Sequence, residues 1–303
     1  VYPMMRSPFD TIKLTTANRP RGYFCVGSKK ECSVFEEDGA VVVPWDKVED
    51  VIDETEILRL IPARKSDKKK IPDFVRRLRS LRFLQIPVSM LADIEVDCLP
   101  KELETLLLTN PKSSVDFEAR WDGVESIGGL KFIEFQNEFG SESCREKLLE
   151  FRVNNLKLDY LGFDLSKNGN LLNGIAVDNT LKTVVVSDAG DIKLEENLPD
   201  GIEEVGVILS GNNFGLDGLS KYVKLRSLLL NGIKSEIDCS VFLSMPSLAD
   251  LFIVNSKKIR NAEAIASHPL LKRITFINCG KPFKDIAEKF DPSKYEVLDI
   301  RHS

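Results

Sequence analysis

Residues Leu271–Asn278 read LKRITFIN. Starting 23 residues earlier, at Leu248, stands LADLFIVN, and 23 before that, at Leu225, LRSLLLNG. Each opens on an apolar leader, then two free positions, an apolar residue, one free position and a third apolar residue. The same template fits Leu81-Leu84-Ile86, Leu103-Leu106-Leu108, Leu130-Ile133-Phe135, Leu158-Leu161-Phe163, Leu181-Val184-Val186 and Ile202-Val205-Val207. It fits again at Tyr295-Leu298-Ile300, and the ten leaders are spaced by 22, 27, 28, 23, 21, 23, 23, 23 and 24 residues. One match is cheap. Ten in near-regular succession leave few folds open.

The alternating part of the template is a short strand with one buried face. The next strand follows after a turn and a return segment. One such unit cannot bury its own apolar face, but stacked units can, with strands in a parallel sheet and return segments in a second layer. The return segments look helical or 3-10. IDCSVFLSMPSL offers Ile237, Val241, Phe242 and Leu248 to a core, RNAEAIASHPLL offers Ala262, Ala264, Ile265 and Leu270, and KPFKDIAEKF offers Phe283, Ile286, Ala287 and Phe290. Pro246 and Pro269 stand just before the next strand, where they stop a helix.

These segments resemble the leucine-rich-repeat superfamily, whose strand motif is L-x-x-L-x-L-x-x-[N/C]-x-L. The resemblance covers about residues 81–300, with weaker echoes at Phe9-Ile12-Leu14 and at Leu58 and Leu60. It implies an α/β fold: a solenoid with a parallel concave β-sheet and short helices or 3-10 segments on the convex side. The family's Asn or Cys stands eight residues after the leader, where only Cys279 does here. Asn110, Asn137, Asp188, Asn255 and Asn278 stand seven after, and Asn231 six after. The expectation is an irregular solenoid without a regular buried asparagine ladder, carrying loops around 113–123 and 140–151.

The first 50 or so residues leave the period. FCVGSKKECSVFEEDGAVVVPW reads as two short strands and a turn, with Glu37-Asp38-Gly39 at the bend. A solenoid needs terminal caps, so residues 1–55 are expected to be an N-terminal cap or a small β-rich region, and 56–303 the solenoid.

The motif scan for chemistry is negative: no Walker-type loop, G-x-S-x-G, H-E-x-x-H, G-x-G-x-x-G or EF-hand loop occurs. No catalytic, cofactor-binding or metal-ligating residue is therefore assigned, and no cofactor. There are two histidines, His268 and His302. His268 reads as a satisfied or exposed loop residue, with partnership to a cysteine as the alternative. Six cysteines, without a C-x-x-C pair, read as buried thiols, and a Cys25–Cys32 disulfide stays open because the two are close in sequence. With no sequon, the chain leans towards a reducing, cytoplasmic setting. Its start lacks the zones of a signal peptide, and a secreted or surface setting is the alternative.

Charge favours neither nucleic acid nor membrane insertion: the net charge is −5 and no apolar run suffices for a membrane helix. Ten acids between Glu31 and Glu56 precede a basic run from Arg64 to Arg82. That run is either a solvated convex segment burying Phe74, Val75 and Leu78 or a grip for an acidic or phosphate-rich ligand.

The free positions of each strand point away from the core. Two after each leader stand Phe83, Thr105, Phe132, Tyr160, Thr183, Glu204, Ser227, Asp250, Arg273 and Val297, and four after each leader Gln85, Leu107, Glu134, Gly162, Val185, Gly206, Leu229, Phe252, Thr275 and Asp299. These rows are either open to a partner or covered by a loop or cap. The resemblance implies a non-catalytic module that binds a protein on its concave face, and the expected contacts are Phe83, Phe132, Glu134, Tyr160, Leu229, Asp250, Phe252 and Arg273. A bacterial-type immunity or adaptor role is the preferred version. The alternatives are an enzyme or enzyme subunit with its site in the N-terminal region, and a secreted or surface adhesive repeat protein. The sequence does not set the oligomeric state.

Overall fold

The computed structural model describes residues 21–62, 70–91, 94–95, 97–109, 122–125, 127–136, 157–165, 180–280 and 286–301. The chain divides into two compact units, Arg6–Tyr160 and Leu161–Ser303.

In the N-terminal unit, β1 (Tyr23–Val26), β2 (Val41–Val43), β3 (Ile57–Leu60), β4 (Phe83–Pro87), β5 (Thr105–Thr109) and β6 (Phe132–Gln136) all run parallel. β1 lies between β2 and β3, and β4, β5 and β6 follow in chain order. β4, β5 and β6 each begin two residues after a leader of the template, and Leu84, Ile86, Leu106, Leu108 and Ile133 are buried. The 3-10 turn Asp73–Arg77 follows the same logic, with Val75 and Leu78 fully buried. Its basic residues are engaged: Arg76 binds Glu95, and Arg77 binds Asp53 at 3.0 Å and the Val51 carbonyl at 2.6 Å. Lys65, Lys68 and Lys69 lie outside the described residues.

The strands expected in 24–45 form, but a helix joins them. This helix, α1 (Lys29–Glu37), starts at Ser28, whose Oγ accepts from the Glu31 N–H at 3.3 Å and donates to the Glu31 carboxylate at 2.7 Å. The chain leaves α1 through Gly39 at φ +100°. A helix of nine residues turns the chain through a crossover, so β1 and β2 are parallel neighbours. Ser28-x-x-Glu31 is a capping-box signature, and it outweighs the β-branched residues that follow. A second short helix, α2 (Asp122–Glu125), overlaps the end of the first expected loop, and residues 113–121 of that loop and 140–151 of the other lie outside the described residues.

In the C-terminal unit, β7 (Tyr160–Asp164) is followed by β8 (Thr183–Ser187), β9 (Glu204–Ile208) and β10 (Ser227–Asn231). A two-residue strand β11 (Ile237–Asp238) precedes β12 (Asp250–Val254), and another, β13 (Ile259–Arg260), precedes β14 (Arg273–Ile277) and β15 (Val297–Arg301). β8, β9, β10, β12, β14 and β15 pair in that order, all parallel and without register slip. β11 pairs with β13 in a separate small ladder. The 3-10 turns Asp217–Lys221, Cys239–Ser244 and Ala262–Ser267 form the other layer, burying Leu219, Tyr222, Phe242 and Ile265. Each unit is thus a parallel sheet backed by short turns, and the fold resembles a leucine-rich-repeat solenoid. The return segments are 3-10 rather than α-helical, which turns Leu270 outward (48% exposed) and leaves Val241 and Ala264 half-buried and Ala287 exposed. Phe283 lies outside the described residues.

The position seven after each leader explains the displaced asparagines. Asp188, Leu209, Gly232, Asn255 and Asn278 have φ of +46°, +64°, +69°, +52° and +55°. Each of β8, β9, β10, β12 and β14 therefore ends in a left-handed corner, which favours Gly, Asn and Asp, while Asn110 and Asn137 lie outside the described residues. The buried position one later holds Ala189, Ser210, Ile233, Ser256 and Cys279. There Ser256 Oγ accepts the Ile233 N–H at 3.0 Å, Ser210 Oγ accepts the Lys234 N–H at 3.2 Å and Cys279 Sγ donates to the Ile253 carbonyl at 3.2 Å. Small hydroxyls and a thiol do the work of an asparagine ladder. Leu209 is the misfit: a branched residue, 52% exposed, in a left-handed corner. Leu209→Asn is expected to raise stability by about 1 kcal/mol, read as a higher midpoint in thermal unfolding.

The small ladder is anchored by Asp238. Its carboxylate accepts from Ser240 Oγ (2.7 Å), the Asn261 amide (2.9 Å), the Ser240 N–H (3.0 Å) and Arg260 (2.7 Å). These bonds, those from Ser240 and Asn261 foremost, hold its pKa down to about 2. A depressed carboxylate stabilises the fold fully above its unfolded pKa of about 3.9, and the contribution fades as pH falls towards the folded value. Asp238→Ala is therefore expected to lower stability at pH 7 and to flatten the acid limb between about pH 4 and pH 2, measured by denaturation across pH.

Candidate partner-binding face

The strand register assembles the free positions into rows on the sheet face opposite the 3-10 layer. Neighbours in a row stand about 4.8 Å apart. In the C-terminal unit one row is Thr183, Glu204, Ser227, Asp250, Arg273 and Val297, and the next is Val185, Gly206, Leu229, Phe252, Thr275 and Asp299. Leu229 and Phe252 are in register and both half-buried, and so are Ile208, Val254 and Ile277 along the third row. Gly206 puts no side chain beside Leu229. This strip is the apolar part of the face.

Charged groups border it. Arg273 is exposed and stands 3.7 Å from Asp250 and 3.2 Å from Glu296. Arg226 binds Glu204 and reaches Glu203 at 3.4 Å, while Thr183 Oγ1 donates to Glu204 at 3.3 Å. Burial pushes the carboxyls of Asp250 and Glu204 up, and the neighbouring arginines oppose it. Ser227 lies between these two acids in the row, fully buried, with no hydrogen-bond partner for its hydroxyl among the described residues.

The N-terminal unit differs. Its rows are Tyr23, Ile57, Phe83, Thr105 and Phe132, then Cys25, Arg59, Gln85, Leu107 and Glu134. Here the face is covered. Cys32 of α1 is buried in one cluster with Tyr23, Cys25, Ile57, Phe83 and Leu107, and Phe35 packs against that cluster. Phe83 is 1% exposed, so its ring belongs to this cluster and is not offered to a partner. Tyr160 is buried too, its ring 6.1 Å from that of the half-buried Phe132, and Glu134 is half-buried. Of the eight residues expected to meet a partner, Leu229, Asp250, Phe252 and Arg273 stand together on the C-terminal unit. Phe83 is withdrawn by α1, which forms where the sequence predicts a turn.

Arg59 was missed as well. The residue is 5% exposed, and its guanidinium lies over the rings of Phe35 (4.5 Å), Phe83 (5.0 Å) and Tyr23 (5.7 Å). It donates to the Tyr23 hydroxyl at 2.9 Å and to the Gln85 carbonyl oxygen. An arginine in the strand template ILRL was the available signal. Nearby, Cys25 and Cys32 are buried free thiols that share a hydrogen bond, which pushes Cys25 up and Cys32 down. Cys98, Cys239 and Cys279 are also buried free thiols. His268 is structural: Nε2 donates to the Met245 carbonyl at 3.0 Å, and Nδ1 accepts the N–H groups of Leu270 and Leu271 at 3.1 and 3.2 Å. Among the described residues no group of three or more His, Cys, Asp or Glu is placed to hold a metal ion, and no helix is long and apolar enough to cross a membrane.

No family model matches the chain, and no curated protein does. Among solved structures, the chain is similar to an internalin from Listeria monocytogenes, with 15% identity and a TM-score of 0.44, over 88% of this chain and 79% of that one. It is also similar to a leucine-rich-repeat protein from Leptospira interrogans, with 14% identity and a TM-score of 0.36, over 81% of this chain and 62% of that one. The likeness is one of fold. The architecture described above rests on this chain's own strand register.

Proposed function

We propose that the chain is a non-catalytic protein-binding scaffold, and that the partner seats on the sheet face of the C-terminal unit. One observation carries the reading: Leu229 and Phe252 stand in register and half-exposed, with Val254 and Ile277 beside them and Arg273, Asp250 and Glu204 at the border. An apolar centre with a charged rim is the anatomy of a recognition surface. A bacterial-type immunity or adaptor role within the cytoplasm is the particular version put forward.

The test is affinity capture from the native organism, with a photoreactive residue at position 229 to fix the site of contact. A specific protein crosslinked there, with affinity reduced about 30-fold or more by Phe252→Ala, is the expected result. Capture undiminished by Phe252→Ala and Leu229→Ala together would overturn the assignment. Both side chains are half-exposed, so neither substitution should unfold the unit.

A further inference from the structure

Few contacts hold α1 to the sheet. Of its nine residues only Cys32 is buried, and Phe35 packs half-buried against the same cluster. Cys32 meets Cys25 of β1 there, and the two free thiols share a hydrogen bond. Gly27 makes room for this approach, since a Cβ on it would lie 2.6 Å from the Cys32 sulfur. Arg59 stands in register with Cys25 on the neighbouring strand, so a buried cation lies beside the pair. Two thiols in contact beside a fixed cation are placed to exchange with a disulfide. The other described cysteines are placed differently. Cys279 donates to the Ile253 carbonyl, and burial pushes the thiols of Cys98 and Cys239 up.

Cys25 and Cys32 are both fully buried, so reaction waits on α1. A helix of nine residues is shorter than the roughly 12–15 that hold a helix together unaided. It therefore lifts from the sheet at less cost than the whole unit unfolds. Cys32 rides on α1 and meets the oxidant first. Its thiolate attacks one sulfur of a low-molecular-weight disulfide, a mixed disulfide forms, and the first small thiolate leaves. When α1 closes again, the Cys25 thiolate, favoured by the Arg59 guanidinium, attacks the Cys32 sulfur. The Cys25–Cys32 bond forms and the second small thiolate leaves. The protons of the two protein thiols pass to the two small thiolates. The protein pair gives up two electrons, and the small disulfide takes them.

We propose that Cys25 and Cys32 form a reversible dithiol–disulfide site, oxidised by low-molecular-weight disulfides, whose bond fastens α1 over the N-terminal sheet face. This is independent of the partner face on Leu229 and Phe252. The test equilibrates the full chain in glutathione buffers from fully reduced to fully oxidised, followed by acid quench, alkylation in denaturant and peptide mapping. Lys29 and Lys30 stand between the two cysteines, so trypsin places Cys25 and Cys32 on separate peptides. The expected result is that these peptides are found linked in oxidising buffer and are separated by dithiothreitol. The bond should raise the unfolding midpoint by roughly 4 °C or more. It should also slow trypsin cleavage of the folded chain after Lys30, in the first turn of α1, by about tenfold. Cys25→Ala and Cys32→Ala should each abolish both changes, and the mapping of the unsubstituted chain stands whether or not either variant folds. Both thiols alkylated at every buffer ratio would overturn the proposal. So would either cysteine held instead by glutathione or by another cysteine, a Cys25–Cys32 bond that leaves cleavage after Lys30 unchanged, or oxidation that raises the midpoint equally in the two variants.

Discussion

Replacing Phe83 by Ala is expected to destabilise the N-terminal unit by about 3–5 kcal/mol, the usual cost of emptying a buried phenylalanine site. The ring is 1% exposed within the cluster of Tyr23, Cys25, Ile57 and Leu107. It is also one wall of the cage around Arg59, at 5.0 Å from the guanidinium. Its loss leaves a cavity and lets water towards a cation that the fold holds among aromatic faces. Cation–π contact with a desolvated arginine contributes about 2 kcal/mol at most sites of this kind. α1 should loosen first, since Phe35 lies over the same guanidinium at 4.5 Å. Urea denaturation followed at Trp45 reads the change. A loss below about 1 kcal/mol, with partner binding reduced instead, would return Phe83 to the recognition surface for which its place in the strand template qualified it.

His268→Ala is expected to destabilise the C-terminal unit by about 2–4 kcal/mol. The side chain spans 23 residues to the Met245 carbonyl and at the same time accepts the N–H groups of Leu270 and Leu271. It therefore ties one 3-10 turn to the next strand's entry. Alanine leaves a carbonyl and two N–H groups in a place that is 6% exposed at present. Thermal unfolding measures the loss. A change within about 0.5 kcal/mol would mean that water takes over all three groups.

The repeat was the legible part. All ten template leaders fall two residues before a strand, from Leu81 before β4 to Tyr295 before β15. This worked because burial repeats at a fixed spacing, and spacing survives in the bare sequence. The left-handed corners were half legible: the asparagines stood at the right place, but their backbone role needed φ. What failed depends on contacts between segments far apart in sequence. Whether Phe83 faces solvent is decided by α1, some fifty residues upstream, which lies on the same face of the sheet. The template assigns Phe83 and Phe252 the same role, yet one is sealed and the other half-open. α1 itself was hidden by local composition, since Val34 and Phe35 suit a strand, and only Ser28 with Glu31 argues otherwise.

The residues one after each leader carry a further consequence. In the C-terminal unit they are Lys182, Glu203, Arg226, Ala249, Lys272 and Glu296, and each of the last five donates its N–H to the carbonyl of the one before. Charge alternates along this line. Where Ala249 breaks it, Asp250 supplies the missing acid one place on, near Arg273 and Arg226. In the N-terminal unit Arg82, Glu104, Lys131 and Asp159 alternate in the same way, with Arg82 and Glu104 paired at 2.9 Å. The fold repeats every strand, but its electrostatics repeat every second strand. Within a run of charged positions, excising one repeat brings like charges face to face, whereas excising two keeps charged neighbours opposite in sign. Chains shortened or lengthened by genetic accident should therefore tolerate changes by pairs of repeats better than by one.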